Sequence, residues 1–381
     1  MASKLKSFQK DAAKANKGNR KEQSYKETPK PKKKKSPLAV RLVKTGGNIM
    51  GGYNFGSGIP TYNGIPMIGG LPNVYPGKYI WARPGTGSDG NTGLSPNKAV
   101  ATLTKALALA TADKNDTVLL VQESNTAAST TDYQSVALDW NKDGVHLIGV
   151  GAAPVIGSRA RIAQLSTVKT IEDLFTVSAD NCYIANLEVF QGVASATATL
   201  ERAMVVSGMR NKIVNCQISG MGDTSMDDAL SCSLAVTGAE NHFIGNYIGL
   251  DTALRTTSKS EIYISGTGGT RNIFDDCIVN SYCASGNTTF KAITWAAGSY
   301  HSATWLRNCM LCSETNRTGA TAAQTGALLF AAAGNVFMLG GGVFGYVDVS
   351  TLADANIFML THYGLSTAAN FPGIAQAIAP A

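Results

Sequence analysis

Hydrophobic positions recur about every thirty residues between Leu174 and Phe344, and three such columns run in step. The columns are Val177, Val206, Val236, Ile264 and Ile293; Ile184, Ile213, Phe243, Phe274 and Trp305; and Val189, Ile218, Ile248, Ile278 and Met310. They lie on short β-branched runs bounded by Gly, Asn, Asp and Ser, which is the pattern of strands joined by turns. A fixed period of this length is typical of a stacked solenoid.

Three strands in each repeat predict an all-β fold, a parallel β-helix in which each column becomes one sheet. Burial of a Val, Ile or Phe side chain contributes roughly 1.5–3 kcal/mol. Three such anchors cannot offset the entropy of ordering some thirty residues, so the repeats must stack. An ordinary β-sandwich is the alternative, but its strands rarely keep register over five repeats.

Asn186, Asn215 and Asn246 lie near the same turn of successive repeats. Their amides would form a hydrogen-bonded ladder between coils if the side chains stack. Alternatively, Asn occurs there because it tolerates the left-handed backbone conformation. The sequence leaves both interpretations open.

A turn-rich cluster, residues 82–96, precedes the repeats and is followed by a predicted helix and a buried strand. The helix spans Ala99 to Ala112, with Val100, Leu103, Leu107 and Ala110 on one face. The strand spans Asp116 to Val121, and a second coil is predicted at Val145 to Val150.

This order of turn cluster, helix and strand resembles the start of pectate-lyase-like right-handed parallel β-helices, and most of all those of bacteriophage tailspikes and other virion proteins. The resemblance covers roughly residues 78–345. It implies an N-terminal capping helix and three parallel copies, hence a homotrimer. It also implies that an enzyme on this scaffold would cleave acidic or surface polysaccharides with clustered carboxylates, although fold alone does not determine function.

The chain divides by composition into four segments: a basic tail over 1–40, a Gly- and Pro-rich extended arm over 41–77, the β-helix over 78–350, and a C-terminal cap or tail over 351–381. Residues 1–36 hold thirteen Lys or Arg against three acidic residues, a net charge of +10. The whole chain carries +7, so the remainder carries about −3. The positive charge therefore belongs to the tail.

Such a tail is predicted to be disordered alone and to bind an anionic partner. Capsid or tail proteins of a virion are one class of partner, and nonspecific contact with nucleic acid is another. A solubilising tail without a partner is a third interpretation. The candidate partner-binding residues are Arg20, Lys21, Lys30, Lys32, Lys33, Lys34 and Lys35.

Four carboxylates form the best candidate catalytic cluster if the chain is an enzyme. Asp223, Asp227 and Asp228 share one loop, and Asp251 lies in the corresponding loop of the next repeat. Adjacent strands are about 4.8 Å apart, so these loops lie within the carboxylate separation of a glycosidase. Acidic residues also fill solvated loops without any catalytic role.

The remaining chemistry is sparse. The seven cysteines, an odd number with no predicted secretory signal, indicate reduced thiols in a protein made in the host cytoplasm. Cys309 and Cys312 have the spacing of a zinc-binding pair but no second pair, and Asp89-Gly90-Asn91 alone is weak for calcium. We therefore predict no metal and no cofactor. The apolar stretch from Ala327 to Phe344 is expected to be a final coil and not a membrane span.

Two functions follow from the sequence. The first is a virion structural protein, such as a capsid decoration, head fibre or tail-associated spike, anchored by its N-terminal arm. The second is a tailspike depolymerase, a polysaccharide lyase or glycoside hydrolase, acting through Asp223, Asp227, Asp228 and Asp251.

Overall fold

A computed structural model describes residues 77–122, 131–151, 160–266, 268–284, 287, 289–296, 301–314, 324–330, 334–350 and 357–360, together with three two-residue strands near the N-terminus. The chain divides into two compact units, residues 1–71 and residues 72–381. In the first unit the short strands Tyr53–Asn54, Thr61–Tyr62 and Ile65–Pro66 form an antiparallel sheet. The Gly-rich arm, expected to be merely extended, therefore contains paired strands.

The second unit is a right-handed parallel β-helix of three long sheets, as the repeats predict. The first sheet contains Leu138–Trp140, Asp173–Val177, Arg202–Val206, Cys232–Val236, Ser260–Ile264, Lys291–Trp295, Gln324–Phe330 and Tyr346–Ser350. The second contains Tyr79–Ala82, Thr117–Val121, His146–Val150, Tyr183–Ala185, Lys212–Val214, His242–Ile244, Ile273–Asp275, His301–Arg307, Gly334–Leu339 and Ile357–Leu360. The third contains Thr131–Gln134, Arg161–Gln164, Glu188–Phe190, Gln217–Ser219, Tyr247–Ile248, Ile278–Cys283, Met310–Ser313 and Gly342–Phe344, with Leu254–Arg255 pairing beside it.

Each coil passes through the first, second and third sheets in that order, and every inward-facing column packs into one core. The strand register confirms most of the predicted columns. It confirms the first four members of column one, Val177 to Ile264, and of column two, Ile184 to Phe274. It also confirms the first three members of column three, Val189 to Ile248. All eleven of these side chains are buried. Phe243 and Phe274 stack face to face inside the core, with ring centroids 4.6 Å apart. The predicted final coil also forms, with strands in all three sheets.

The last members of the predicted columns are wrong. Leu306, not Trp305, is in register with Phe274 and buried, and Trp305 instead pairs with Ile273 on the outer face. A one-residue shift in a strand moves a side chain to the opposite face. The cause is the coil length, which grows from 31 residues between Phe243 and Phe274 to 32 between Phe274 and Leu306.

Column three shifts by one residue and column one by two. Val279 and Leu311 continue column three inside the core, and the predicted Ile278 and Met310 are 36% and 40% exposed. In column one, Trp295 pairs with Ile264. The predicted Ile293 lies two residues earlier, and therefore still on the buried face.

The capping helix is shorter than predicted and spans Leu103–Leu109, after a 3₁₀ turn at Pro96–Lys98. Its first residue follows Thr102, whose side chain accepts a hydrogen bond from the Lys105 amide at 3.1 Å. At its other end the Lys142 ammonium donates to three carbonyls, those of Leu107, Ala108 and Ala110. These two caps limit the helix to seven residues.

The turn between the first and second sheets, which we call the asparagine edge, carries a ladder of buried amides. Asn211, Asn241 and Asn272 occupy equivalent positions in successive coils. Each Oδ1 accepts from a backbone amide of the preceding coil: Cys182 to Asn211 at 2.8 Å, Asn211 to Asn241 at 2.8 Å and Asn241 to Asn272 at 2.9 Å. The side-chain amides return hydrogen bonds to backbone carbonyls. The ladder thus satisfies turn groups that strand pairing leaves unpaired.

The asparagines predicted as a ladder behave differently. Asn186 and Asn215 have left-handed backbones, with φ of 58° and 50°, which supports the conformational interpretation. Asn246 lies one residue further along its coil, after Gly245, whose φ is 61°. Its buried Oδ1 accepts from the Cys216 amide at 2.8 Å. At this turn the bridging interpretation therefore holds for Asn246 and the conformational one for Asn186 and Asn215, while the continuous amide ladder lies at the asparagine edge.

Candidate functional site

Long connections lead from each third-sheet strand to the next first-sheet strand, and residues 191–201, 220–231 and 249–259 are three of them. We call this side of the β-helix the loop edge. Three of the predicted catalytic carboxylates lie in residues 220–231 and the fourth in residues 249–259. The polar contacts of each decide what chemistry it is able to perform.

Asp227 is buried, and its carboxylate is used to hold the next loop. Oδ2 accepts hydrogen bonds from the backbone amide and hydroxyl of Thr256 and from the Thr257 amide, and Oδ1 accepts from the Ser258 amide at 3.0 Å. Hydrogen bonds from backbone N–H groups to a carboxylate are among the stronger ones in proteins. This geometry makes Asp227 an anchor between adjacent coils.

Asp223 also has a local structural role. It precedes the 3₁₀ turn Thr224–Met226, and its Oδ1 accepts from the amide and the hydroxyl of Ser225 at 2.9 and 2.8 Å. The Ser225 hydroxyl in turn accepts from the Ala196 amide of the preceding loop at 2.9 Å. Asp223 therefore orders its own loop.

An ion pair lies entirely inside the protein at the loop edge. The side chains of Arg255 and Glu261 are both fully buried, with Nε and Oε1 separated by 3.0 Å. Arg255 also donates to the carbonyls of Met221 and Gly220, and Glu261 accepts from the Ser233 hydroxyl. Burial raises the pKa of Glu261, which Arg255 and Ser233 oppose. Because every charged atom has a partner, this pair is a structural bridge across three coils.

Glu201 is the loop-edge residue that sequence reasoning missed. Its side chain is fully buried, with Oε2 accepting from the Ser231 hydroxyl at 3.1 Å and Oε1 without a hydrogen-bond donor among the described residues. Burial raises its pKa to about 7, and the charges of Asp228 and Glu172 add to the increase. The structure thus brings predicted Asp228 next to a carboxyl that has an unusual affinity for protons.

The fourth candidate, Asp251, lies in a separate polar cluster on the outer face of the third sheet. Its charge acts on the half-buried Tyr247, as does that of Glu314. Asn280 donates to the Tyr247 hydroxyl at 2.8 Å and to Glu314 Oε1 at 2.9 Å. Burial, with the two carboxylates, raises the pKa of Tyr247. This cluster joins an aromatic ring, an amide and two acids across three coils.

Asp275 is likewise paired. Its carboxylate contacts the Arg307 guanidinium and, at 2.6 Å, Nε2 of His242. Burial alone would raise its pKa, but the hydrogen bonds and charges of Arg307 and His242 lower it overall. The neighbouring Asp276 occupies a left-handed turn position with φ of 52°.

Other polar residues of the β-helix also have structural surroundings. His146 is buried, accepts from the Tyr183 amide through Nδ1, and has a pKa lowered by burial to about 4. Asp89 accepts from the Ala101 and Thr102 amides next to the capping helix. Six cysteines are buried, Cys312 is half-buried, and all seven are free thiols.

Several predictions concern residues outside the described part of the chain. The basic tail, with Arg20, Lys21, Lys30 and Lys32 to Lys35, lies there. Among the described residues, no group of three or more His, Cys, Asp or Glu side chains is arranged to hold a metal ion. In the same part of the chain, no helix is long and apolar enough to cross a membrane.

Comparison with known proteins gives the fold and little else. No protein-family model matches the chain, and no curated protein sequence is detectably similar to it. Among solved structures, pectate lyase Pel9A is similar with a TM-score of 0.50 and 14% identity, covering 79% of this chain and 74% of its own. A pectin methylesterase from Aspergillus niger has a TM-score of 0.46 and 12% identity, covering 82% and 94%. The chain has the pectate-lyase-like β-helix fold.

Proposed function

We propose that this protein is a structural component of a bacteriophage virion, a β-helical capsid decoration, head fibre or tail-associated spike. The observation that carries the proposal is that the charged side chains of the β-helix are used to join its coils. The pairs that join coils are Arg161–Glu188, Arg202–Asp173, Arg210–Glu240, Arg255–Glu261, Arg271–Glu240 and Arg307–Asp275.

Catalysis requires groups that are accessible and poised to react, whereas a mechanical projection requires coils that resist separation. Asp227 meets the second requirement and not the first, because both of its oxygens already accept hydrogen bonds from the next loop. Asp223 Oδ1 is occupied by Ser225 within its own loop. A stack held by bridges at both edges is suited to transmit force along its length. This supports the structural role over the catalytic one.

Attachment is assigned to the N-terminal arm. Residues 1–36 carry a net charge of +10 and the remainder about −3, so the anchor and the projecting body differ in charge. The proposed partners are capsid or tail proteins of the virion, with the body as a homotrimer and nonspecific nucleic-acid contact as a further possibility for the tail. The proposed location is the virion, after synthesis in the host cytoplasm.

The test is co-sedimentation with phage particles that lack this protein. Full-length protein is expected to pellet with the particles, and a truncated protein beginning at residue 38 is expected to stay in the supernatant. A matched full-length variant with Lys30, Lys32, Lys33, Lys34 and Lys35 changed to Gln separates charge from length. Loss of binding after nuclease treatment would identify DNA as the partner, and pelleting of the truncated protein would contradict tail-mediated attachment.

Polysaccharide recognition or cleavage is the second candidate. The specific observation in its favour is the cluster of Tyr247, Asp251, Asn280 and Glu314, since an oriented amide beside an aromatic ring and carboxylates suits a polyhydroxylated ligand. The fold is shared with a pectate lyase, which is compatible with this role. Asp251→Asn should then lower glycan binding or cleavage at least tenfold, with Glu240→Gln as the control. Equal activity of the two variants would contradict the assignment.

A further inference from the structure

Glu201, Asp228 and Ser231 form a junction between two adjacent coils. Arg202 is in register with Asp173 on one side and Cys232 on the other, so Glu172, Glu201 and Ser231 are successive members of one column. The Ser231 hydroxyl accepts from the Glu201 amide at 2.9 Å and donates to Glu201 Oε2 at 3.1 Å. The backbone is joined as well, because the Cys232 amide donates to the Glu201 carbonyl at 3.0 Å.

The charged groups around Glu201 do not neutralise it. Asp228, in the loop before Ser231, and Glu172, on the preceding coil, both add negative charge. The guanidinium of Arg202 is held by both carboxylate oxygens of Asp173, at 2.6 and 2.7 Å. A buried carboxylate oxygen, Glu201 Oε1, therefore has no hydrogen-bond donor among the described residues, while the charges of Asp228 and Glu172 act on the same carboxyl. Burying such a group as an anion is costly unless something neutralises it.

We infer that the buried Glu201 carboxyl holds a proton at this junction, which acts as a pH-sensitive latch on loop 220–231. The proton removes a buried negative charge that has no cationic partner, and with it the repulsion from the charges of Asp228 and Glu172. Two carboxylates and one hydroxyl fall short of the six to eight oxygen ligands that calcium prefers, so a proton fits the junction better than a metal ion.

The latch would be closed at mildly acidic pH and would weaken as the pH rises. The pKa of Glu201 is raised to about 7, whereas an unfolded glutamate ionises near 4.3. Between these values the closed junction binds more protons than the open one, so closure becomes less favourable with increasing pH. The consequence spreads to the next coil, because loop 220–231 also carries Asp227 and its hydrogen bonds to residues 256–258.

Hydrogen–deuterium exchange of the full-length protein, read by mass spectrometry on peptides covering residues 226–234, measures the latch directly. After correction for the intrinsic pH dependence of exchange, protection is expected to fall by up to roughly tenfold for each pH unit between 5 and 7. Glu201→Gln should remove this pH dependence, and Glu240→Gln, on the asparagine edge, should leave it unchanged.

Two further measurements keep the inference open to contradiction if Glu201→Gln does not fold. Asp228→Asn, which removes the second acid, should reduce the pH dependence, and carboxyl carbon NMR of glutamate-labelled wild-type protein should show one group ionising near neutrality. Equal pH dependence in wild type and both variants would overturn the assignment of the proton to Glu201. Calcium-dependent protection at pH 8 that is lost in Glu201→Gln would overturn it in favour of a cation site.

Discussion

The asparagine edge and the loop edge join the same coils by different means. At the asparagine edge, one buried amide per coil repeats the same two hydrogen bonds through Asn211, Asn241 and Asn272. At the loop edge the bridges are charged and each is different, as with Arg255–Glu261 and Asp227. The difference follows from the turns. Where successive turns have the same shape, the same neutral side chain can bridge each pair of coils. Where successive loops differ in length and sequence, each pair of coils requires a different bridging side chain.

The close spacing of the asparagine edge also limits its composition. A Cβ atom at Gly238 would lie 1.9 Å from the Gly208 carbonyl oxygen, and one at Gly208 would lie 1.9 Å from that of Ala179. These carbonyls are the acceptors for the asparagine amides. Small residues and amides therefore occur together at this edge, whereas the loop edge buries the long charged side chains of Arg255 and Glu261.

The largest effect is expected from breaking the buried ion pair at the loop edge. Arg255→Met leaves Glu261 buried without its cationic partner, and the free energy of unfolding should fall by about 3–5 kcal/mol. Urea unfolding measures the change. The double variant Arg255→Met, Glu261→Leu is the control, and it should recover much of the loss. A double variant no more stable than the single one would show that packing, and not the unpaired charge, is responsible.

The asparagine edge should be less sensitive, though still clearly so. Asn241→Ala leaves the Asn211 amide and the Gly208 carbonyl without partners, and about 2–4 kcal/mol of stability should be lost. Asn215→Gly is the matched control because its exposed left-handed position accepts glycine readily. If both variants unfold at the same urea concentration as the wild type, the asparagine ladder does not contribute measurably to stability.

Asp227 allows the charged anchor to be compared with a neutral one. Asp227→Asn places an amide group where a carboxylate oxygen accepted hydrogen bonds, and we expect a loss of about 1–2 kcal/mol. Hydrogen exchange should also become faster at residues 256–258, whose amides donate to Asp227. Unchanged exchange there, together with a loss of any glycan-cleaving activity, would favour a catalytic role over an anchoring one.

The smallest effect is expected on the exposed surface of the asparagine edge. Glu240 contacts Arg210 at 2.8 Å and Arg271 at 2.5 Å, but the arginine side chains are 58% and 61% exposed. Glu240→Gln should therefore change stability by less than about 1 kcal/mol. The difference from wild type should disappear in high salt. A larger change that does not depend on salt would mean that the ion pairs of Glu240 with Arg210 and Arg271 help to hold the coils together.

Much of the fold could be predicted because burial imposes a period on the sequence. Val177, Val206 and Val236 mark successive coils since each must enter the same core. The prediction failed at Trp305 and Met310, where the coil lengthens and hydrophobicity alone does not indicate which face a side chain occupies. A large apolar residue on the outer face looks the same in the sequence as one in the core.

The candidate site was harder to predict because acidity does not distinguish an anchor from a reactive group. Asp223, Asp227 and Asp228 are neighbours in the sequence, yet they respectively order a loop, hold the next coil and approach a buried carboxyl. Glu201 was missed since it stands alone in the sequence, 27 residues from Asp228. Its only signal was its position directly before a first-sheet strand.

The sequence by itself determined the solenoid, the sheet-forming columns and the separation of a basic tail from a weakly acidic body. Those features depend on local composition and on a period, which are present in the order of residues. Tertiary structure alone decided which amides form the ladder, which carboxylates are used as bridges and which buried carboxyl has no donor for one of its oxygens. These depend on the register between coils, where one residue more in a turn changes every neighbour across the gap.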